Sequence, residues 1–284
     1  MIIDYSLARP TIAELKAHGV TAVGRYIGWD GEPGYQNTGK NITKPEAKAL
    51  LAAGISVFLA FEYVTDAAAR GAAQGHADGQ LAASQLAGLG APPGMAVYFA
   101  CDWDIPDYSP SLPDTPASAI GKLGPVGQYF TAINNLRYPF AVGVYGGYYA
   151  VKRVMDAGLA TLGWQTIAWS GGQLDPRATI YQTAASSPVY GTDVDIRENA
   201  ALQEDFGQWP RPAPQPIQES GMIIITVDTK TVPVGKAWPG IFLGGYVPGE
   251  LWHIPDQATL QAYEALSLPA KTISYAQYVL LGGK

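Results

Sequence analysis

Cysteine occurs once in the 284-residue chain, as Cys101, which leaves no disulfide framework and no Cys-based zinc site. Histidine is nearly as scarce. His18, His76 and His253 lie far apart and form no HxH or HExxH pattern, which argues against a zinc hydrolase. Charged residues make up only 15% of the chain, and the 18 Lys and Arg are outnumbered by 24 Asp and Glu. The formal net charge of -6 comes without a basic stripe, so nucleic acid is not expected as a partner. The longest apolar run, around Leu50–Phe61, is too short for a membrane span. Nor does Met1-Ile2-Ile3-Asp4 open with the basic region and long apolar stretch of a signal peptide. The expectation is a chain that stays in the cytoplasm unless a route other than the general secretory one carries it out.

In place of charge stand 17 Tyr, 7 Trp and 33 Gly, against only 7 Phe. Most aromatics therefore carry a polar handle, which suits flat polar ligands such as sugars as well as ordinary wet interfaces. Strand-like and helix-like segments alternate from the first residue. Strands are predicted at Ile2–Tyr5, Thr21–Ile27, Ile55–Glu62, Met95–Asp102, Phe140–Tyr145, Gln165–Trp169, Thr179–Gln182 and Asp193–Ile196. Helices are predicted at Thr11–His18, after the T-x-x-E box of Thr43 and Glu46, from Asp66 to about Leu89, at Ser118–Leu136 and at Tyr148–Ala157. Such alternation implies parallel strands with right-handed crossovers, and eight of them is the count of a (β/α)8 barrel. Little room remains for helices between the last three strands. The predicted fold is therefore an α/β, TIM-like barrel with a degenerate last third. A doubly wound sheet is the rival, weakened by the lack of a G-x-G-x-x-G or P-loop after the first strand. The barrel is assigned residues 1–206. Pro210, Pro212, Pro214 and Pro216 mark a linker over 207–219, and β-branched runs beyond it mark a small C-terminal β-rich module, 220–284.

In a parallel barrel, chemistry sits where the strands end, and strand parity shows which side chains point inward. On the fourth strand Val97, Phe99, Cys101 and Trp103 share one face, and Ala96, Tyr98, Ala100, Asp102 and Asp104 share the other. The apolar set is expected against the helices, which leaves Asp102 and Asp104 pointing inward at the mouth. On the third strand the same alternation turns Ser56, Phe58, Ala60 and Glu62 inward. Asp4 closes the first strand, and Asp193 and Asp195 flank Val194 on the eighth. Crowded carboxyls force one to stay protonated while another is ionised, the pairing that glycosidic cleavage needs. Two other readings of the same acids are loop caps or partners of Arg25, and a divalent-cation site shared by Asp102 and Asp104. Nothing else in the sequence supports a metal, and no cofactor is expected. Arg25 and Tyr26 end the second strand, Tyr98 lies on the fourth, Tyr145 ends the fifth, Trp169 the sixth and Gln182 the seventh; these are the candidate substrate contacts.

The ordered series Asp4-Tyr5-Ser6, Tyr98 through Asp104, Gly143-Val144-Tyr145, Tyr181-Gln182 and Val194-Asp195-Ile196 resembles a known set. It is similar to the glycoside-hydrolase-like barrel domain of unknown function from actinobacteria and their phages, a relative of the family 25 lysozymes. The resemblance covers about residues 1–205. Family 25 lysozymes cut the β-1,4 bond of peptidoglycan with acids on strands one, four and eight. The resemblance implies that Asp4, Asp102 and Asp195 match three of these, and that Asp104 stands where their catalytic Glu would be, one methylene shorter. It makes Asp104 the expected proton donor, with Asp102, Asp4 and Asp195 stabilising charge or positioning water and Glu62 as a compensating acid. The partner it implies is cell-wall glycan, cleaved or only bound. Further virion proteins would contact the C-terminal module if the chain is phage-encoded, and the protein would act outside the cell or in a virion.

Overall fold

A capping box closes at the first helix, and the one expected at the second is only half made. In the computed structural model, α1 (Ile12–Ala17) starts on a closed capping box: Thr11 accepts from Glu14 N, and the Glu14 carboxylate accepts from Thr11 N. The second T-x-x-E sequence makes only half a box at the start of α2 (Lys44–Ala52). Thr43 accepts from Glu46 N, but the Glu46 carboxylate turns to Arg25 instead. The structure describes residues 1–28, 39–62, 64–183, 196–211 and 230, and the strand backbones at 223–227, 241–244, 251–253 and 270–273.

Eight strands close a barrel in chain order: β1 (Ile2–Tyr5), β2 (Ala22–Ile27), β3 (Ser56–Phe61), β4 (Ala96–Cys101), β5 (Ala141–Gly146), β6 (Leu162–Thr166), β7 (Ile180–Gln182) and β8 (Ile196–Ala201). Helices α3 (Ala72–Leu89), α4 (Ala119–Leu123), α5 (Pro125–Asn135) and α6 (Tyr148–Asp156) complete the crossovers. The stretch Ser118–Leu136, expected as one helix, is two. Gly124 takes a left-handed φ of 52°, and Pro125, which has no N–H to give the preceding turn, opens the second piece.

Two sequence expectations are corrected. The strands are not all parallel: β8 runs antiparallel to both β7 and β1. An antiparallel neighbour needs no crossover helix, which accounts for the shortage of helical sequence before it. The sixth strand ends at Thr166, and Trp169 lies beyond it in a left-handed conformation, φ 55°, that no strand residue adopts.

Inward and outward parity on β3 and β4 holds. Val57, Leu59, Phe61, Val97, Phe99 and Cys101 join the core between barrel and helices. Phe58, Ala60, Ala96 and Tyr98 join Trp164, Ile180 and Phe206 inside the barrel. This inner cluster forms the floor. Tyr98 donates to Phe206 O at 2.6 Å and pairs with Thr179 Oγ1 at 2.9 Å, while Trp164 meets Phe58 edge-on at 4.9 Å. The chain that returns under the floor is stitched to it: Ala96 N donates to Gly207 O, and Val57 and Trp209 exchange backbone hydrogen bonds. By compactness the chain divides into Met1–Pro212 and Ala213–Lys284. The second unit carries a four-stranded sheet in the order β11 (Leu251–His253), β10 (Ile241–Gly244), β9 (Ile223–Val227), β12 (Ala270–Ile273), antiparallel except for β12 beside β9. A run with helical spacing, Gln257–Leu266, lies outside the described residues.

Candidate active site

Above the floor, the inward positions change from apolar to polar within one alternation. On β1 the inward pair is Ile2 then Asp4; on β6 it is Trp164 then Thr166; on β7 it is Ile180 then Gln182. Asp4 is 1% exposed, and the room for it comes from Gly24, where a Cβ would lie 2.7 Å from Asp4 Cβ and 2.7 Å from the Phe58 ring. Its Oδ2 accepts from Gln182 Nε2 at 2.8 Å and from Asn199 Nδ2 at 2.7 Å, and its Oδ1 from the Tyr26 hydroxyl at 3.4 Å. Burial pushes the Asp4 carboxyl up to about 6, against the pull of those donors and of Arg197. Gln182 is fully committed as a connector, since its Oε1 accepts from Tyr145 at 3.2 Å and Thr166 at 2.9 Å. Asn199 ties the mouth to the floor by accepting from Trp164 Nε1 at 2.8 Å.

Asp102, one residue past β4, is half-buried. Burial is also the main reason its carboxyl is pushed up to about 6; Glu62 adds to the rise and Lys40 opposes it. Glu62 follows β3 and pairs with Lys40 at 2.8 Å, while the Lys40 ammonium sits 4.4 Å from the centroid of the Tyr26 ring. The phenols of Tyr26 and Tyr145 are held well above their usual range, first by burial and then by the surrounding carboxylates, Asp4 and Asp102 among them. Asp4, Glu62, Asp102, Tyr26, Tyr145 and Gln182 thus share one mouth.

Other expected site residues lie elsewhere. Asp104 is exposed, at a shallow crevice lined also by Trp103, Gly147, Tyr149 and Trp169. Trp169 stands at this rim, 38% exposed. Arg25 is not a mouth residue. Its parity turns it outward, where it is fully buried beneath α2, donates to Glu46 at 2.6 Å and caps the carbonyls of Tyr5, Ser6 and Lys40. Tyr98 is sealed in the floor with its hydroxyl satisfied, too deep to meet a ligand at the mouth. Asp193 and Asp195 lie outside the described residues; the strand they precede begins at Ile196, opposite Tyr5 at the mouth. The loop after β4 is tied down by ion pairs of Asp107 with Arg153 at 3.1 Å and of Asp114 with Arg153 at 3.5 Å. Among the described residues no three His, Cys, Asp or Glu side chains gather as a metal site, and no helix is long and apolar enough to cross a membrane.

Lys40 and Asn199 were not anticipated. Lys40 belongs to no motif. Asn199 was hidden because the eighth strand was expected to end at Ile196, where the real one starts.

Comparison with known proteins gives one family. Residues 13–201 match the model of the Rv2525c-like, glycoside hydrolase-like domain. No curated protein matches the chain. Among solved structures, the Tat-secreted protein Rv2525c of Mycobacterium tuberculosis, in complexes with HEPES and with L-tartrate, is 22% identical with a TM-score of 0.61. That likeness covers 73% of this chain and 98% of Rv2525c. An uncharacterized B. stearothermophilus protein is 14% identical, TM-score 0.45, over 70% of this chain and 94% of its own. The modular autolysin LytC of Streptococcus pneumoniae, in complex with a synthetic peptidoglycan ligand, is 15% identical, TM-score 0.42, over 69% of this chain and 45% of its own. With the family model spanning most of the closed barrel, the chain belongs to the Rv2525c-like, glycoside hydrolase-like family.

Proposed function

We propose that this barrel is a glycosidase acting on bacterial cell-wall glycan, with Asp102 as the proton donor. The observation that carries the reading is the pair of carboxyls at one mouth, Asp4 and Asp102, both pushed to about 6 by burial. A carboxyl in that range is still partly protonated near neutrality, which a general acid requires. The two differ in surroundings. Asp4 accepts hydrogen bonds from Tyr26, Gln182 and Asn199, which favour its ionised form, whereas no described residue hydrogen-bonds to Asp102. We assign to Asp102 the proton that is given to the glycosidic oxygen as the bond to the anomeric carbon breaks. The Asp4 carboxylate stabilises the positive charge that develops on the ring, and water then adds to the anomeric carbon, leaving its proton on a carboxylate. Asp195, matched to the family 25 pattern, serves as a further stabilising acid. Tyr26 and Tyr145 line the sugar site, and Trp169 and Asp104 hold a neighbouring sugar at the rim. The C-terminal module retains the protein on its target. Action outside the cell follows from the substrate and accords with the secreted state of Rv2525c.

A second reading has its own observation. Asp104 stands where the family 25 lysozymes place their catalytic Glu, yet it is exposed and apart from the buried carboxyls. On this reading the barrel binds wall glycan without cutting it, at a cell surface or in a virion. Release of reducing ends from purified cell wall, with binding to the same material, separates the two. Asp102→Asn is expected to lose about 1,000-fold in release while still binding, and Asp104→Asn no more than about tenfold. Loss on Asp104→Asn alone would move the donor to Asp104. Binding by the wild type with no release at all would establish the second reading.

A further inference from the structure

Lys40 lies on no strand or helix, yet it reaches the centre of the mouth. Its ammonium is 2.8 Å from Glu62 Oε2 and 4.4 Å from the Tyr26 ring centroid, with the two charged side chains only 13% and 11% exposed. The backbone around it is fixed from outside the barrel. Arg25 Nη2 donates to the Lys40 carbonyl at 3.2 Å, Asn41 bridges to Tyr26, and Ile42 N donates to Tyr26 O at 2.9 Å. A pair anchored in this way has already met the ordering cost that makes most exposed lysine pairs worth little.

The register then sets what the pair acts on. Phe61 of β3 lies opposite Phe99 of β4, so Glu62 falls level with Ala100, and Asp102 is the next inward position on the adjacent strand. Glu62 and Asp102 are thus same-face neighbours at the ends of two parallel strands. Groups of other elements also face Asp102: Tyr26 from β2 and Tyr145 from β5, with Asp4 from β1 acting on the same two phenols. Cys101 ends β4 just before it, and Asp104 follows it in the loop beyond. The phenols and the thiol stay neutral through the relevant range because burial holds them up, and the Lys40–Glu62 ion pair lies at the neighbouring strand end beside Asp102.

We infer that the Lys40–Glu62 ion pair, held at the strand end beside Asp102, is a positioning device for the Asp102 carboxyl. The inference builds on the reading of Asp102 as the donor, and it makes opposite demands on two residues in contact with each other. Removing Glu62 weakens the hold, so Asp102 loses its proton at lower pH. Removing Lys40 strengthens it, so the proton persists to higher pH. An effect of general loosening would move both variants the same way.

The test reads Asp102 directly, through the ¹³C signal of its carboxyl followed from pH 3 to 9 in the full chain. Glu62→Gln is expected to lower the proton affinity of Asp102 by about tenfold and Lys40→Met to raise it by about tenfold, with Lys40→Arg returning it to the wild-type midpoint. In a wall-cleavage assay the alkaline limb of the pH profile follows the same order. Shifts in one direction for both variants, or shifts under about twofold, would overturn the inference. If Lys40→Met does not fold, Glu62→Gln alone decides: an unmoved or raised Asp102 midpoint rejects it. Because the carboxyl signal does not depend on catalysis, an inactive wild type would fail the glycosidase reading without touching this one.

Discussion

The two ends of the barrel interior are built from the same inward positions of the same strands, yet they are opposites in chemistry. At the floor, Phe58, Tyr98, Trp164 and Phe206 fill the lumen with ring against ring, and the Tyr98 hydroxyl is satisfied by a backbone carbonyl and by Thr179. One alternation higher, at the mouth, Asp4, Tyr26, Glu62, Asp102, Tyr145 and Gln182 line the lumen with titratable and amide groups. Burial at the floor is favourable throughout, because apolar area leaves water there. Burial at the mouth opposes two ionised carboxylates. The difference marks the mouth as a place where stability is given up for reactivity.

That contrast predicts where pH acts. Asp4 has its ordinary value, 3.8, in the unfolded chain and about 6 in the folded one. The folded value is the higher, so Asp4 contributes stability that is fully present below 3.8 and is lost as pH rises through 6. The amplitude is about 3 kcal/mol. Asp107, Asp175 and Asp205 shift the opposite way, so the difference between wild type and Asp4→Asn isolates the effect. Chemical denaturation at pH 4 and pH 7.5 is expected to show the wild type losing about 2.4 kcal/mol relative to the variant between the two, the rest being lost already below pH 4. A constant difference would mean that the mouth carries no such strain.

The floor is expected to behave otherwise. Tyr98→Phe removes the donor to Phe206 O and leaves a buried carbonyl unpaired, at a cost of about 2 kcal/mol. The loss is expected to be the same at pH 4 and pH 7.5, since the hydroxyl does not titrate there, and glycan release or binding is expected to be unchanged. Impaired binding in this variant would show that the floor and mouth are not separable, with the chain Trp164–Asn199–Asp4 as the connection to examine next.

How far the sequence foretold this division depends on which residues are asked. Parity on the third and fourth strands placed Asp102, Glu62, Phe58 and Tyr98 inside the barrel, because those strands are regular and buried on both faces. The same parity applied to Val23, Arg25 and Ile27 turns Arg25 outward, and nearness to the strand end alone does not make it a mouth residue. The half-made capping box at Thr43 gives the reason for that orientation, since Glu46 has left its cap to hold Arg25. Lys40 was beyond reach of pattern. It meets Glu62 only because the chain returns beside Tyr26, a tertiary fact with no local signature. The antiparallel eighth strand was half visible as missing helices, and reading its direction would have put Asn199 inside the barrel and Asp195 before the strand.

Trp169 tests the comparison at its smallest expected effect. Its left-handed backbone costs a residue with a Cβ roughly 1–2 kcal/mol, so the surrounding structure must impose it. Two features do. Ser170 Oγ donates to Thr166 O at 2.6 Å and accepts from Tyr148 N and Gln165 Nε2 at 3.0 Å each, fixing the next residue. Gly147 leaves space that a Cβ would fill, 2.7 Å from Trp169 O. A strained aromatic held part-exposed beside Asp104 is the arrangement of a contact surface rather than of a core residue. Trp169→Asn keeps a residue tolerant of that conformation and removes the ring. Stability is expected to stay within about 1 kcal/mol of wild type, because the lost packing is offset by relieved strain. Affinity for soluble wall oligosaccharide, by calorimetry, is expected to fall about tenfold, the worth of one aromatic stacking contact. A large stability loss with unchanged affinity would return Trp169 to packing and confine sugar recognition to the buried mouth.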